Sequence, residues 1–276
     1  MRRSISRGLA ACGLLPATCG LLLAAAEPLS AAENFITGTA TFEVRPGPGN
    51  PAALNGVSGQ KIETFRLICD RYETTIETTA TVTTNGQDHA LAIEQKQTET
   101  ERSLEFMLTV RIDTNLILSF AGHAERTSDG LAVTLTAPSP GTLEPKGDIR
   151  LPQQSTGDVL KAARRGDHTF DFRMITGAPT TSKDGTDAFR AEIGDPRSDN
   201  QSDEEALFAA KVGGGRLQRW PVKLTLLAPD TGAPVTTLYY VIYDNGFVLG
   251  GGDDLGSLHL GYELTDFKPS PPEPCP

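Results

Sequence analysis

Two cysteines carry the clearest chemistry in this 276-residue chain. Cys12 and Cys19 fall in an apolar N-terminal segment that has the features of a leader, which leaves Cys69 and Cys275. An exported chain meets an oxidising compartment, where an even number of cysteines favours a disulfide. A bridge between Cys69 and Cys275 would enclose roughly 200 residues and would stabilise the fold by at most about 5 kcal/mol. Two free thiols, or thiols bonded to another molecule, remain the alternative.

The histidines and serines form no recognisable catalytic or metal-binding pattern. The four histidines are His89, His123, His168 and His259. None has a partner at the spacing of a helical metal site, and no phosphate-binding loop or nucleophile elbow is present. Ser257 and His259 would share a strand face, but no third member of a triad can be named. We therefore expect no catalytic residue, no cofactor and no metal, and a hydrolase with an unrecognised site is the less favoured alternative.

A polar segment over residues 177–201 is rich in turn-forming residues, which predicts a mobile loop. Acidic side chains in and just after this segment are candidates for calcium ligands, and they are Asp195, Asp199, Asp203 and Glu204. They lack the regular spacing and the sharp-turn glycine of a calcium loop. Acids in contact with solvent are therefore the favoured interpretation.

Residues 1–32 have the features of a secretory signal peptide. Three arginines in the first seven residues form a positive start, an apolar stretch follows, and small residues precede a cleavage point after Ala32. Pro16 inside the apolar stretch argues against a retained membrane anchor. Cys12 would mark a lipoprotein site only under a different start codon. We predict a signal peptide over 1–32 and a single β-rich domain over 33–276.

The formal charge of −10 makes nucleic acid an unfavourable partner, because an acidic surface repels phosphate backbones. No segment after the leader is long and apolar enough to cross a bilayer, so the mature chain is expected not to span a membrane. The composition is otherwise that of a globular protein, with 38% hydrophobic and 22% charged residues. These properties leave small molecules, lipids and other proteins as the classes of partner.

Alternating apolar and polar residues predict β-strands through most of the remaining chain. Residues 104–110 and 72–84 place their apolar side chains on one face, which is typical of an antiparallel sheet with one wet face. Asn85-Gly86 lies between two such runs and predicts a hairpin. Trp220 begins a later alternating run, and we assign it to the core rather than to ligand stacking.

Two segments have the signals of short helices. Ser155 or Thr156 can cap a helix over Asp158–Arg165, which Gly166 would end. The second helix is predicted over Ser202–Lys211, where Ser202 and Glu205 have the spacing of a capping box. Because strands dominate, we expect these helices to pack on a sheet.

Several segments, taken in order, resemble one known family. The first is Cys69-Asp70-Arg71-Tyr72, before a threonine-rich strand, and the second is Ile149-Arg150-Leu151-Pro152, before the first helix. Trp220-Pro221-Val222 opens a later strand. Tyr240–Gly246 ends in the turn Asp-Asn-Gly, and a proline-rich tail carries Cys275. This order is similar to that of the EipB-like cell envelope integrity family of alphaproteobacteria, over nearly the whole mature chain.

The resemblance implies a periplasmic, non-enzymatic, mainly β protein. Its fold would be a single curved antiparallel sheet that forms an open barrel or β-spiral, with two short helices. Family members are tied to cell envelope integrity and outer membrane homeostasis, and they are structurally similar to periplasmic lipoprotein carriers. The family's disulfide corresponds to Cys69 and Cys275. The family usually has Gly-Trp where this chain has Arg71-Tyr72, which puts a ligand face near Tyr72 in doubt.

Two functions of different class are compatible with these residues. A curved sheet with an apolar concave face can bind a lipid, a lipoprotein or an extended peptide. Alternatively, the protein is a structural component that docks a periplasmic protein through an edge strand or through its acidic surface.

Overall fold

The computed structural model describes residues 35–47, 54–180, 182–212, 217–254 and 258–275. Within these ranges the chain forms sixteen strands and two α-helices. The predicted signal peptide, Cys12 and Ser257 lie outside the described residues. No helix in the described part is both long and apolar enough to cross a bilayer.

The first half of the chain consists of strands alone. They are β1 Gly38–Pro46, β2 Leu54–Ile68, β3 Arg71–Thr84, β4 Gln87–Glu99, β5 Ser103–Ile112, β6 Asn115–Arg126, β7 Leu131–Ala137 and β8 Gly141–Leu143. The second half mixes both element types. Its elements are β9 Ile149–Arg150, α1 Pro152–Arg165, β10 Thr169–Met174, β11 Asp187–Ile193, α2 Asp203–Lys211, β12 Arg219–Leu227, β13 Pro234–Tyr243, β14 Val248–Gly250, β15 Gly252–Asp254 and β16 His259–Pro269.

The larger sheet is an antiparallel meander of ten strands in the order β15-β16-β1-β2-β3-β4-β5-β6-β7-β8. Two-residue turns join several of its neighbours, and their backbones enter the left-handed region that such turns require. Asn85-Gly86 has φ values of 51° and 77°, which confirms the predicted hairpin. Cys69 and Asp113 take φ values of 60° and 55° in the β2–β3 and β5–β6 turns.

The smaller sheet has six strands in the order β14-β13-β12-β11-β10-β9, all antiparallel except for the parallel pair β9–β10. The chain passes from this sheet to the larger one between β14 and β15. Gly250 and Gly251 lie there with φ values of 99° and 91°, a conformation that a side chain would strain. The mainly β, antiparallel class with two helices is thus confirmed, but the strands lie in two sheets instead of the single curved sheet that was predicted.

Helix α1 begins six residues before the predicted start at Asp158. Ser155 does not cap it; its hydroxyl donates to the Pro152 carbonyl at 2.7 Å, one turn back. Proline suits the first helical position because its missing N–H would have no partner there. Gly166 ends the helix at φ 82°, as predicted. The apolar side of α1 packs on the smaller sheet, where Trp220 is 2% exposed and therefore belongs to the core.

Helix α2 follows the prediction closely. The Ser202 hydroxyl oxygen accepts the Glu205 backbone N–H at 3.2 Å. The Glu205 carboxylate binds Arg197 and accepts the backbone N–H of Gln201, one residue before the cap, at 2.8 Å. The loop predicted over 177–201 is wrong for Asp187–Ile193, which forms strand β11. Phe189, Ala191 and Ile193 point inward in this strand and are buried. The prediction was wrong because these three alternating apolar residues lie within a mostly polar segment.

Candidate functional site

The buried side chains of the larger sheet lie on its inner face. Along the strands, these side chains change from apolar to polar. One end is filled by an apolar cluster of Val44, Val57, Ala80, Val82, Leu91, Ile93, Val110 and Leu260. Further along strands β2 to β4 the inward positions become polar, and they include Lys61, Glu63, Thr74, Gln97 and Glu99. We call these regions the filled end and the cavity end.

A cavity of about 300 Å³ lies over the cavity end. Strands β1 to β3, residues 35–37, the first turns of α1, residues 246–250 and β16 contribute to its walls. Six aromatic rings line it, those of Phe35, Phe42, Phe65, Tyr72, Phe247 and Tyr262. The volume is at the lower end of the range of small-molecule sites and equals the share of about ten water molecules.

A buried ion pair lies among these rings. Lys61 Nζ is 2.6 Å from Glu63 Oε1, and the two side chains are 11% and 14% exposed. The same ammonium lies 4.0 Å from the centre of the Tyr262 ring and 5.5 Å from that of Phe42, within the range of cation–π contacts. Both members are inward residues of β2, two positions apart on one strand face.

The N-terminal segment closes one side of the cavity by docking on a glycine turn. The Ile36 N–H donates to the Asn245 carbonyl at 2.8 Å, and Phe35 covers Gly246. A Cβ at Gly246 would lie 1.6 Å from the Phe35 ring, and its φ is 77°. Glycine is therefore required here by close approach as well as by backbone conformation.

The C-terminal tail reaches the rim of the cavity. Arg66, whose side chain is 43% exposed, contacts Glu73 at 3.1 Å and Glu273 at 2.7 Å. Arg66 thereby lowers the pKa of the Glu273 carboxyl. The Glu273 N–H also donates to the Leu67 carbonyl at 2.8 Å, so the tail lies along β2.

The structure brings the two predicted cysteines together beside this rim. The Cα atoms of Cys69 and Cys275 are 5.1 Å apart, inside the interval of about 4.4–6.8 Å that disulfides span. Cys69 is in the β2–β3 turn and Cys275 is in the tail. Formation of the bond, and the export that would favour it, stay predictions.

Glu99 fastens helix α1 over the cavity end. Its carboxylate accepts the backbone N–H groups of Gln153 at 2.8 Å and Gln154 at 3.0 Å, which caps the helix from strand β4. The side chain is buried, and burial raises the pKa of Glu99 to about 7. Sequence reasoning missed this cap because it lies 54 residues before Gln153.

The model of one protein family, described as EipB-like, matches residues 30–271. The chain belongs to the EipB-like family. A solved structure titled "Crystal Structure of Beta-barrel-like Protein of Domain of Unknown Function DUF1849 from Brucella abortus" is similar, with a TM-score of 0.72 and 18% identity. The match covers 86% of this chain and 99% of that one, and at this identity it shows the fold alone. The search of curated proteins found no match.

Arg71 and Tyr72, which follow the β2–β3 turn of this EipB-like chain, face different ways. The Tyr72 ring lines the cavity and lies 5.6 Å from the Phe35 ring centre. Arg71 points to the outside, where it contacts Glu73 at 2.9 Å. This dipeptide therefore places an aromatic ring in the cavity wall and a cation outside it.

The residues considered for catalysis are dispersed over this EipB-like fold. His89 contacts Asp113 at 3.1 Å and His123 lies 3.8 Å from Glu125, on different strands of the larger sheet. His168 contacts the Ile193 carbonyl. Among the described residues, no group of three or more His, Cys, Asp or Glu side chains could hold a metal. Neither match names a catalytic family.

Proposed function

We propose that this protein is a periplasmic binding protein without enzymatic activity, which supports the cell envelope by holding an amphiphilic ligand in the cavity. The observation that carries the proposal is the cavity itself, with six aromatic rings and a buried ion pair in its wall. Mostly apolar walls with a few placed polar groups are typical of small-molecule sites.

The size of the cavity favours one class among the expected ligands. With the volume of about ten water molecules, the cavity has room for at most one acyl chain, whereas the several chains of a lipoprotein anchor need more room. An extended peptide would need a continuous groove along a sheet edge. A lipid with one acyl chain is therefore the ligand that the cavity fits best.

The cellular assignment rests on different support. Residues 1–32 have the features of a signal peptide, and Cys69 and Cys275 are close enough to bond in an oxidising compartment. The role in envelope integrity comes from the resemblance to the EipB-like family. We propose that residues 33–276 act as one ligand-binding domain.

Native mass spectrometry with palmitoyl lysophospholipids tests the proposal. We expect one lipid per chain, and we expect Tyr72→Ala to weaken binding at least tenfold because burial of an aromatic ring contributes roughly 1.5–3 kcal/mol. Tyr239→Ala is the matched control, since Tyr239 is 68% exposed on β13 and outside the cavity wall.

Equal losses in both tyrosine variants, or no binding by the folded wild-type protein, would overturn the proposal. Recovery of a stable protein partner by the lipid-free wild type would then support the alternative of a docking component.

A further inference from the structure

We infer that the ligand carries a zwitterionic head, with a cation and an anion close together, and that this head binds at the Lys61–Glu63 pair. The inference rests on the proposed function and names the ligand class within it. Its basis is a pair of opposite, largely buried charges in the wall of a cavity that six aromatic rings also line.

The pair retains unused hydrogen-bonding capacity. Within the described residues, Glu63 is the one oxygen partner of the Lys61 ammonium, which has three N–H donors. The Glu63 carboxylate can likewise accept more than one bond. Thr78, directly opposite Lys61 in the β2–β3 register, is 1% exposed, and its hydroxyl has no hydrogen-bond partner in the described part.

Stability gives little reason for this pair. Replacing a buried ion pair by apolar side chains of similar volume is often neutral or stabilising. Lys61 and Glu63 take inward positions that Val57, Phe65 and Leu67 fill elsewhere on the same strand. Charges at these positions are therefore explained better by recognition than by folding.

Charge balance decides between head groups. The charged side chains in the cavity wall form two ion pairs, Lys61 with Glu63 inside and Arg66 with Glu73 at the rim. A head with a net charge would leave one charge uncompensated in a site of low dielectric. A zwitterion places its anion near Lys61 and its cation near Glu63, and the site stays neutral.

The same residues orient the ligand. Lys61 and Phe42 are 8% and 4% exposed and adjoin the filled end, whereas Arg66 at the rim is much more accessible. The head therefore lies at the inner end, and the acyl chain passes Phe65 and Tyr72 and continues beyond the rim, because about 300 Å³ does not hold a head group and a whole chain.

A panel of amphiphiles with one palmitoyl or hexadecyl chain tests the inference by titration of the wild-type protein. The panel contains lysophosphatidylethanolamine as the zwitterion, lysophosphatidylglycerol and palmitate as anions, and hexadecylammonium as the cation. We expect the zwitterion to bind at least tenfold more tightly than each of the others. Equal affinities, or tighter binding of a singly charged amphiphile, would overturn the inference while the proposed function stands.

Single charge removals give an independent readout. Lys61→Met leaves Glu63 and should shift the preference to hexadecylammonium, whereas Glu63→Gln leaves Lys61 and should shift it to the anions. Glu192→Gln is the control, because Glu192 forms an exposed ion pair with Lys223 outside the cavity wall, and it should leave the order unchanged. A pair with a merely structural role would lower all affinities together, and that result would contradict the inference. If no amphiphile binds the folded wild type, the proposed function fails as well.

Discussion

The filled end and the cavity end of the larger sheet are built from the same strands but serve different purposes. Strand β3 contributes Ala80 and Val82 to the filled end, and Tyr72 and Thr74 to the cavity wall. The change occurs at one row of the register, where Lys61 of β2 faces Thr78 of β3. One continuous sheet can therefore supply a packed core and a binding site without a second domain.

The comparison teaches that alternation alone does not make a core. Both ends point every second residue inward, yet only one end supplies enough apolar volume to fill the interior. At the cavity end the gap is enclosed by elements from elsewhere in the chain, namely residues 35–37 and helix α1. Its stability should accordingly depend on how those elements are attached.

The largest effect on the unfolding free energy is expected when the covalent attachment of the tail is removed. We expect the double variant Cys69→Ser/Cys275→Ser to lose up to about 5 kcal/mol of unfolding free energy, because a bridge across so long a loop restricts the unfolded chain. Urea unfolding measures the loss. Hydrogen exchange should rise in the tail and in residues 35–37, which the tail contacts, and it should also rise in the filled end, because buried amides there exchange through global unfolding.

Two findings would count against this prediction. One is an unchanged urea midpoint in the double variant, and the other is quantitative labelling of both thiols in the wild-type exported protein.

The second prediction compares the loss of stability when an isoleucine is truncated in the filled end and in the cavity wall. Ile93→Ala, in the filled end, should lower the unfolding free energy by about 2–5 kcal/mol because it leaves a cavity in a packed core. Ile76→Ala, in the cavity wall on the neighbouring strand, should have less than half that effect. Urea unfolding of both variants checks the difference, and equal losses would remove the distinction between the regions.

The third prediction concerns Glu99, whose pKa is raised by burial from 4.5 to about 7 in the folded state. Between these values the folded chain holds a proton that the unfolded chain has released. The unfolding free energy should therefore fall as the pH rises through this window, by about 3 kcal/mol from this group, and should level off outside it.

Glu99→Gln isolates that contribution from other groups that titrate in the same range. Unfolding at pH 5 and pH 7.5 should show a smaller difference in the variant than in the wild type. Identical differences would mean that Glu99 does not titrate in this window. Because α1 lies over the cavity end, the pH effect should be strongest in hydrogen exchange at its first turn.

Local signals in the sequence were enough for much of the fold. Asn85-Gly86 predicts its hairpin because only the two turn residues decide the conformation, and Ser202 predicts the start of α2 because its hydroxyl acts three residues away. The start of α1 was placed too late because its capping group, Glu99, comes from a distant strand.

The candidate site was not predicted, although one signal for it exists. Lys61 and Glu63 share the odd-numbered positions of Val57, Phe65 and Leu67, and that parity places two charges on the inward face. The cavity itself depends on which segments cover that face, and no local pattern in the sequence gives their arrangement.

The pairing of β1 with β16 has a consequence for how the molecule is made. Thr39 pairs with Lys268 and Glu43 with Glu263, so the first strand has a neighbour that is synthesised more than two hundred residues later. Until that neighbour emerges, one edge of β1 offers unpaired backbone groups to any other strand nearby. The nascent chain must therefore be kept from premature association until its final strand is available.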